Sequence, residues 1–319
     1  MNKLLIARRI PENNLQQLQA VFEVEHNQAD ALWSAADLAA RLADKHAVFT
    51  TAGEPMNAAV LSAAPALKVI CTMAVGYNNI DLAVCKQRGI AVTNAPDVLT
   101  ETTADFGFAL LLATARRVCE SEHFLRSGQW GRWTYDAFVG ADVHGATLGI
   151  IGMGRIGQAI AKRAAHGFDM QVIYHNRTRL DAVSEEHVRA HWVEKTELLQ
   201  RADHVLLVLP YSAETHHAIG AAELALMKPS ATLINLARGG IVDDAALAHA
   251  LQTRQIAAAG LDVFEGEPTV HPGLLSVPNI VLTPHIASAS LRTRHAMAQL
   301  ATDNLLAFAA HRPLLTEVK

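Results

Sequence analysis

The chain is poor in charge, in aromatic rings and in cysteine. Only 18% of its 319 residues are Asp, Glu, Lys or Arg, against about 25% in an average soluble domain. The formal net charge is −4 and aromatics make up 5%. A balance so near neutral gives no basic stripe for a nucleic-acid backbone or an anionic membrane, so the expected partners are small molecules. Three cysteines, Cys71, Cys85 and Cys119, are odd in number, far apart and without a C-x-x-C pair. That argues against a disulfide framework and a zinc knuckle and fits a reducing, cytoplasmic setting. No uncharged apolar run approaches the ~18 residues of a membrane span. The opening segment has only Leu4 to Ala7 before Arg8 and Arg9, too short for a signal-peptide core. Repeats and low-complexity tracts are also missing.

What is present is a high hydrophobic content, 50%, on a chain long enough for about two domains. Residues 1–95 alternate strand and helix patterns. Lys3–Ala7, Ala47–Thr51, Lys68–Thr72 and Ile90–Asn94 read as strands, Pro11–Phe22 and Met56–Ala63 as helices. Such alternation implies a parallel sheet covered on both faces, an α/β fold. A long helix is expected from Thr102 to about Glu122, opened by Thr102-x-x-Asp105. It is apolar nearly all round, so it should be buried on more than one side, between domains or against a second subunit.

The clearest signal is Gly152-Met153-Gly154-Arg155-Ile156-Gly157, spaced G-x-G-x-x-G. The apolar run Leu148–Ile151 feeds it, and the Ala-rich pattern Ile156, Ile160, Ala161, Ala164 follows. This reads as strand, tight turn and helix, in which a pyrophosphate lies on the helix N-terminus. The next strand, Gln171–His175, should end where a dinucleotide site reads the adenosine ribose. An NAD-specific site places Asp or Glu there, yet the residues are Asn176-Arg177-Thr178-Arg179. Arginines with small polar neighbours suit a 2′-phosphate, which predicts NADP(H) as the preferred cofactor with NAD(H) as the lesser one. One charge-assisted contact of about 1.5–3 kcal/mol corresponds to a roughly ten- to hundredfold preference.

Further strands are expected at His204–Pro210, Ala231–Leu236, Ile256–Val263 and Asn279–Leu282, and a final helix over Ser288–Ala310. Their ends deliver Arg238, Asp262 and His285 to one edge of the sheet, with Glu267 just beyond. Arginine can hold a carboxylate and polarise the adjacent carbonyl. Histidine can protonate that carbonyl as a hydride arrives. Glu267, bonded to His285, would orient the ring and favour its charged form.

With these residues in hand, the chain resembles the D-isomer-specific 2-hydroxyacid dehydrogenases. The matching segments are Val75-Gly76-Tyr77-Asn78-Asn79-Ile80-Asp81, the Gly152 turn, Asn235–Asp243, Gly260–Pro268 and Thr283–Ser288, in family order from about residue 70 to 290. The resemblance is greatest to glyoxylate/hydroxypyruvate reductases, including forms that reduce 2-ketogluconate. It implies two doubly wound parallel-sheet domains, with a Rossmann-type cofactor domain (97–286) inserted in a flavodoxin-like substrate domain (1–96 plus 287–319), and a homodimer. It implies that Arg238 binds substrate, that Glu267 pairs with His285, the acid/base, and that the Val75 and Gly76 N–H groups hold the substrate carboxylate. Thr103 and Asp262 match positions at the nicotinamide end, and Leu209, Pro210 and Thr215 a cofactor-lining loop. With Gly152, Gly154, Arg155, Ile156, Gly157, Asn176, Arg177, Thr178 and Ala237 they make up the implied cofactor-binding set. Some relatives carry a tryptophan near Asp136–Val139, where this chain has Ala137 and Phe138.

The expected activity is therefore NADPH-dependent reduction of small 2-keto acids. The rivals are an NAD-dependent 3-phosphoglycerate or other D-2-hydroxyacid dehydrogenase and a non-catalytic dinucleotide sensor. The intact triad disfavours the sensor, and the chain's end at Lys319 disfavours the 3-phosphoglycerate enzyme, which commonly carries an added domain. Two histidine pairs, His187/His191 at i, i+4 and the adjacent His216/His217, lack an H-E-x-x-H pattern or a third ligand nearby in sequence. No metal is expected.

Overall fold

The computed structural model describes residues 1–318, which divide into two compact units, Met1–Leu99 with 289–318 and Thr100–Ser288. The divisions fall a few residues beyond the junctions expected at 96/97 and 286/287.

The first unit opens β1 (Asn2–Ile6), α1 (Glu12–Gln19), β2 (Phe22–His26), α2 (Ala35–Leu42), β3 (Ala47–Thr50), α3 (Ala58–Ser62), β4 (Val69–Thr72), α4 (Leu82–Arg88) and β5 (Ala91–Thr93). The five strands are parallel in the order β2-β1-β3-β4-β5. Their central members Leu4 to Ile6, Val48, Phe49, Val69 and Ile70 are fully buried. That is why β1, β3 and β4 read as unbroken apolar runs. The helix expected over Pro11–Phe22 stops at Gln19, and Phe22 instead begins β2. Phe-Glu-Val-Glu-His alternates as a sheet-edge strand does, a pattern too short to outweigh the helical one before it. The loop after β4 contains Val75 and Gly76, whose N–H groups donate to no other described residue, while Val75 O accepts from Asn94 Nδ2 at 2.8 Å.

The second unit comprises α5 (Thr100–Ala115), α6 (Val118–Arg126), β6 (Thr147–Ile151), α7 (Arg155–Gly167), β7 (Gln171–His175), α8 (Ala182–Val188), β8 (Ala190–Trp192), α9 (Lys195–Arg201), β9 (His204–Leu207), α10 (Ala221–Leu224), β10 (Thr232–Asn235), α11 (Asp244–Gln252), β11 (Ala258–Leu261), α12 (Pro272–Leu275) and β12 (Ile280–Leu282). Its seven parallel strands run β12-β11-β10-β9-β6-β7-β8. The order reverses between β6 and β9, the switch point where open α/β sheets bind ligands beyond the strands' carboxyl ends. The final helix, α13 (Leu291–Ala309), returns to the first unit. No described helix is long and apolar enough to cross a membrane.

The long helix expected over 102–122 is two helices. Arg117 takes a left-handed backbone, φ 53°, and opens α6. Because α5 starts at Thr100, Thr102 and Asp105 lie inside the helix and do not form its cap. One face of α5 is wet, at Glu101, Asp105 and Ala109, and the other packs closely on the sheet. A Cβ on Gly107 would lie 2.7 Å from Leu236, and one on Gly260 would lie 2.5 Å from Thr114. The apolar pattern thus reflects burial on β10–β12 and α7 within the unit.

The turn leaving β7 is fastened by charge. The buried Tyr174 donates its hydroxyl to Glu185 Oε1 at 2.7 Å and accepts from Leu180 N at 2.8 Å. Arg179 forks onto both Glu185 oxygens at 2.8 Å. Hydrogen bonding by Arg179, with Tyr174 adding to it against desolvation, pulls the Glu185 carboxyl down to about 2. Desolvation and the Glu185 bond push Tyr174 up to about 12. A carboxyl depressed on folding stabilises the native state above its unfolded value near 4.5, and that contribution disappears as pH falls toward about 2. In urea titrations across pH 7 to 2, Glu185→Gln is expected to start less stable than wild type and to lose less stability between pH 4.5 and 2. Parallel pH curves would contradict this.

Candidate active site

Because every strand of the second unit is parallel, the residues that follow them gather along one edge of the sheet. The glycine turn follows β6. Gly152 has φ +103°, and a Cβ on it would lie 2.7 Å from Leu209 N. Only glycine lets β6 turn this close to the end of β9. A Cβ on Gly157 would lie 2.3 Å from Gly152 O, whereas one on Gly154 meets nothing within 4 Å. The turn is therefore closed on its inner side and open at Gly154, which caps α7 without a side-chain hydrogen bond. A helix start of this kind presents its first N–H groups to an anion. This geometry fits a dinucleotide pyrophosphate.

After β7, Asn176 Oδ1 accepts from Met153 N at 2.7 Å. Its side chain thus positions the glycine turn. Of the two arginines expected at the ribose, Arg179 is taken by Glu185. Arg177 is exposed and makes no side-chain hydrogen bond among the described residues. Its charge helps to hold Glu214 below the usual carboxylate range, behind the larger effect of the Ser212 hydroxyl at 2.6 Å. Arg177 therefore lies toward the 209–217 segment. There Thr215 Oγ1 accepts from Ser212 N at 2.7 Å and donates to Pro210 O at 3.0 Å, which shapes the segment. Thr103 is buried in α5 with its hydroxyl unpartnered, so it could receive a polar group of a bound nucleotide.

The turn after β10 presents Arg238. Asn235, buried at the strand end, accepts from Ala237 N at 3.0 Å and donates to Arg238 O at 3.3 Å. The Arg238 Nη1 donates to Ala237 O at 2.8 Å. Burial lowers the Arg238 pKa from its ordinary value, and the Glu267 charge opposes that. Immediately after, a Cβ on Gly239 would lie 1.7 Å from Phe264 O, so the Arg238 turn rests directly on the backbone that leads to Glu267.

His285 follows β12 in a left-handed conformation, φ 55°. Its Nδ1 lies 2.9 Å from Glu267 Oε2, while Glu267 Oε1 accepts from Phe264 N at 2.9 Å. Desolvation raises the Glu267 carboxyl, but the His285 bond and charge, the Phe264 N–H and Arg238 outweigh it, and the group sits below the usual range. With a carboxylate on Nδ1, the proton there is fixed and Nε2 is the nitrogen left for chemistry. Asp262, expected at the nicotinamide end, also has a structural task. It is 1% exposed and accepts from Thr283 Oγ1 (2.7 Å), Ile286 N (2.8 Å) and Ala287 N (2.8 Å), bracketing the turn that carries His285.

Arg238, Glu267 and His285 are thus assembled by their own unit. Reading the sequence missed Asn235 and the bracketing role of Asp262. The signal available was a polar Asx side chain where β10 and β11 end, Asn235 three residues before Arg238 and Asp262 five before Glu267. His204, fully buried between Thr232 Oγ1 (2.8 Å) and Asp142 O (3.1 Å), is held toward the neutral form by desolvation and belongs to the core. His187 and His191 lie on α8 and β8, so their i, i+4 spacing is not helical. His216 and His217, expected to lack a third ligand, meet Glu265.

Comparison with known proteins agrees with this arrangement. The model of the NAD binding domain of D-isomer specific 2-hydroxyacid dehydrogenases matches residues 108–287. A glyoxylate reductase of Thermococcus onnurineus is 47% identical over 310 residues, covering 96% of this chain and 92% of its own. A glyoxylate/hydroxypyruvate reductase B of Citrobacter koseri is 48% identical over 254 residues, 79% of this chain and 78% of its own. Among solved structures, an NADPH-dependent glyoxylate/hydroxypyruvate reductase from Sinorhizobium meliloti, in complex with NADP and malonate, superposes with TM-score 0.88 at 37% identity. It covers 99% of this chain and 96% of its own. With the glycine turn, the arginine and the Glu–His pair in one unit, the chain belongs to the D-isomer specific 2-hydroxyacid dehydrogenases, a family of oxidoreductases.

Proposed function

We propose that the protein is an NADPH-preferring reductase of small 2-keto acids such as glyoxylate and hydroxypyruvate, with 2-ketogluconate as a larger candidate. The observation that carries this reading is the Glu267–His285 pair at 2.9 Å, with the half-buried Arg238 charge acting on Glu267. When bound, the nicotinamide nucleotide supplies the hydride. Arg238 takes the substrate carboxylate and draws charge from the neighbouring carbonyl. His285 Nε2 gives its proton to the carbonyl oxygen, and Glu267 stabilises the charged ring before transfer. The glycine turn with the first N–H groups of α7 is assigned the pyrophosphate, and Arg177 the 2′-phosphate.

The relatives named above as glyoxylate and hydroxypyruvate reductases, one of them solved with NADP, support this choice. The second unit also exposes Leu125, Trp130, Trp133, Tyr135 and Val139, and exposed apolar side chains grouped along one segment mark an interaction surface. We assign it to a homodimer contact. Phe138 packs against Phe124 at 5.1 Å and under Arg117 at 5.1 Å, so it is committed to its own unit.

Initial rates of glyoxylate, hydroxypyruvate and 2-ketogluconate reduction with NADPH and NADH test the reading. NADPH is expected to lead by about ten- to hundredfold in kcat/KM, from a contact of about 1.5–3 kcal/mol. Arg177→Ser should remove most of that lead while changing the NADH rate less than about threefold. An NADH preference in the wild type would refute the assignment of Arg177.

A further inference from the structure

The 209–217 segment carries two histidines that the proposed chemistry does not use. The His216 and His217 rings stack with centroids 3.9 Å apart. His217 takes a left-handed backbone, φ 50°, and donates its N–H to Gly240 O at 2.7 Å. From the other side comes Glu265, whose Oε2 lies 3.0 Å from His217 Nε2 and whose N–H donates to the buried Asp244 carboxylate at 3.1 Å. One ligand atom each from His216, His217 and Glu265 then lies within 4.8 Å of the others. These residues are far apart in sequence and meet only because β9, β10 and β11 end side by side.

A further layer surrounds the three. His216 Nδ1 lies 3.2 Å from the Tyr211 hydroxyl, and His217 Nδ1 lies 3.9 Å from Asp243 Oδ2. The Tyr211 hydroxyl is within hydrogen-bond reach of His216 Nδ1, an outer partner of the kind that orients a metal-binding imidazole, and the Asp243 carboxylate adds negative charge beside His217. Two imidazole nitrogens and a carboxylate oxygen suit a borderline ion such as Zn²⁺. With bonds near 2.0–2.1 Å, ligand atoms around tetrahedral zinc stand about 3.3 Å apart. The three groups need to close by up to about 1.5 Å, within the reach of exposed or half-buried side chains. Three protein ligands leave a position for water, so the ion would be exchangeable.

We propose that His216, His217 and Glu265 form a binding site for a divalent transition-metal ion of borderline character. Occupancy ties the 209–217 segment to the 262–267 segment across the turn that follows Arg238. Its bearing on turnover rests on the function proposed above, but its test does not.

Titration of the full chain with Zn²⁺ in a calorimeter, and with Co²⁺ followed by visible absorption, measures the site without substrate or nucleotide. One saturable ion per chain is expected, with the intense bands of four-coordinate cobalt. His217→Ala and Glu265→Gln should each weaken binding at least tenfold, and Tyr211→Phe about tenfold through the outer hydrogen bond, whereas His187→Ala should leave it unchanged. At a hundredfold excess over Kd, zinc should raise the wild-type Tm by about 5 °C or more but not that of His217→Ala. Glu265→Gln keeps the volume and the backbone bond to Asp244, and an unchanged Tm without metal verifies its fold. No stoichiometric binding, or unaltered affinity in the His217→Ala, Glu265→Gln double variant, would overturn the proposal.

Discussion

Replacing His285 by asparagine is expected to lower kcat/KM for keto-acid reduction by about a thousandfold while leaving the Kd for NADPH within about twofold. A positioned general acid contributes roughly 10²–10⁴, and no other acid is fixed on the Glu267 carboxylate. Asparagine is the sharper choice over alanine because His285 sits at φ 55°, a backbone that Asn tolerates and Ala does not. His285→Ala should lose as much activity and some stability in addition. Glu267→Gln should fall between, at about ten- to hundredfold. Its amide still accepts from Phe264 N but turns an NH₂ toward His285 Nδ1, so the ring no longer has a carboxylate to stabilise its second proton. Fluorescence titration with NADPH separates binding from chemistry. Near-full reduction by His285→Asn would sink the acid/base role.

How far the sequence discloses this site depends on the kind of interaction that makes it. The glycine turn was readable because its causes are local: a φ of +103° at Gly152 and a Cβ-excluding approach at Gly157 leave glycine at fixed spacing. Arg238, Glu267 and His285 were readable because parallel strands place their successors on one edge. Strand β2 and the break at Arg117 were not, since each turns on a few residues whose conformation is settled by the sheet or the neighbouring helix. The ribose end was half legible. Arg177 and Arg179 look alike in sequence, and only the fold shows Arg179 spent on Glu185, 2.8 Å away. The cluster of His216, His217 and Glu265 was invisible for the same reason: its third member is supplied across two strand ends. Periodicity reports burial, and residue type reports chemical capacity. Which capacity is already satisfied is a property of long-range packing.

Asp262 is where packing and chemistry meet, and Asp262→Asn is expected to lower the Tm of the unfolding transition by about 6–10 °C and kcat/KM by about a hundredfold. The carboxylate is 1% exposed and faces three donors, Thr283 Oγ1, Ile286 N and Ala287 N, all within 2.8 Å. Hydrogen bonds to a charged group contribute about 1.5–3 kcal/mol each. Asparagine keeps one acceptor oxygen and must point its NH₂ at a remaining donor, for a net cost of about 3 kcal/mol. The same displaced donors belong to the residues flanking His285, whose own N–H is held by Asp262 O at 2.9 Å. A shift of the imidazole by about an ångström is enough for a hundredfold loss. Thr283→Val, which removes one donor and leaves both backbone bonds, should cost only about 1 kcal/mol and less than tenfold in activity. The comparison that decides between positioning and mere stability is kcat at a temperature where Asp262→Asn is fully folded and saturated with NADPH. A normal kcat there would confine Asp262 to the core. A depressed kcat with an unchanged Kd for NADPH would show that the buried carboxylate acts on the reaction through the placement of His285.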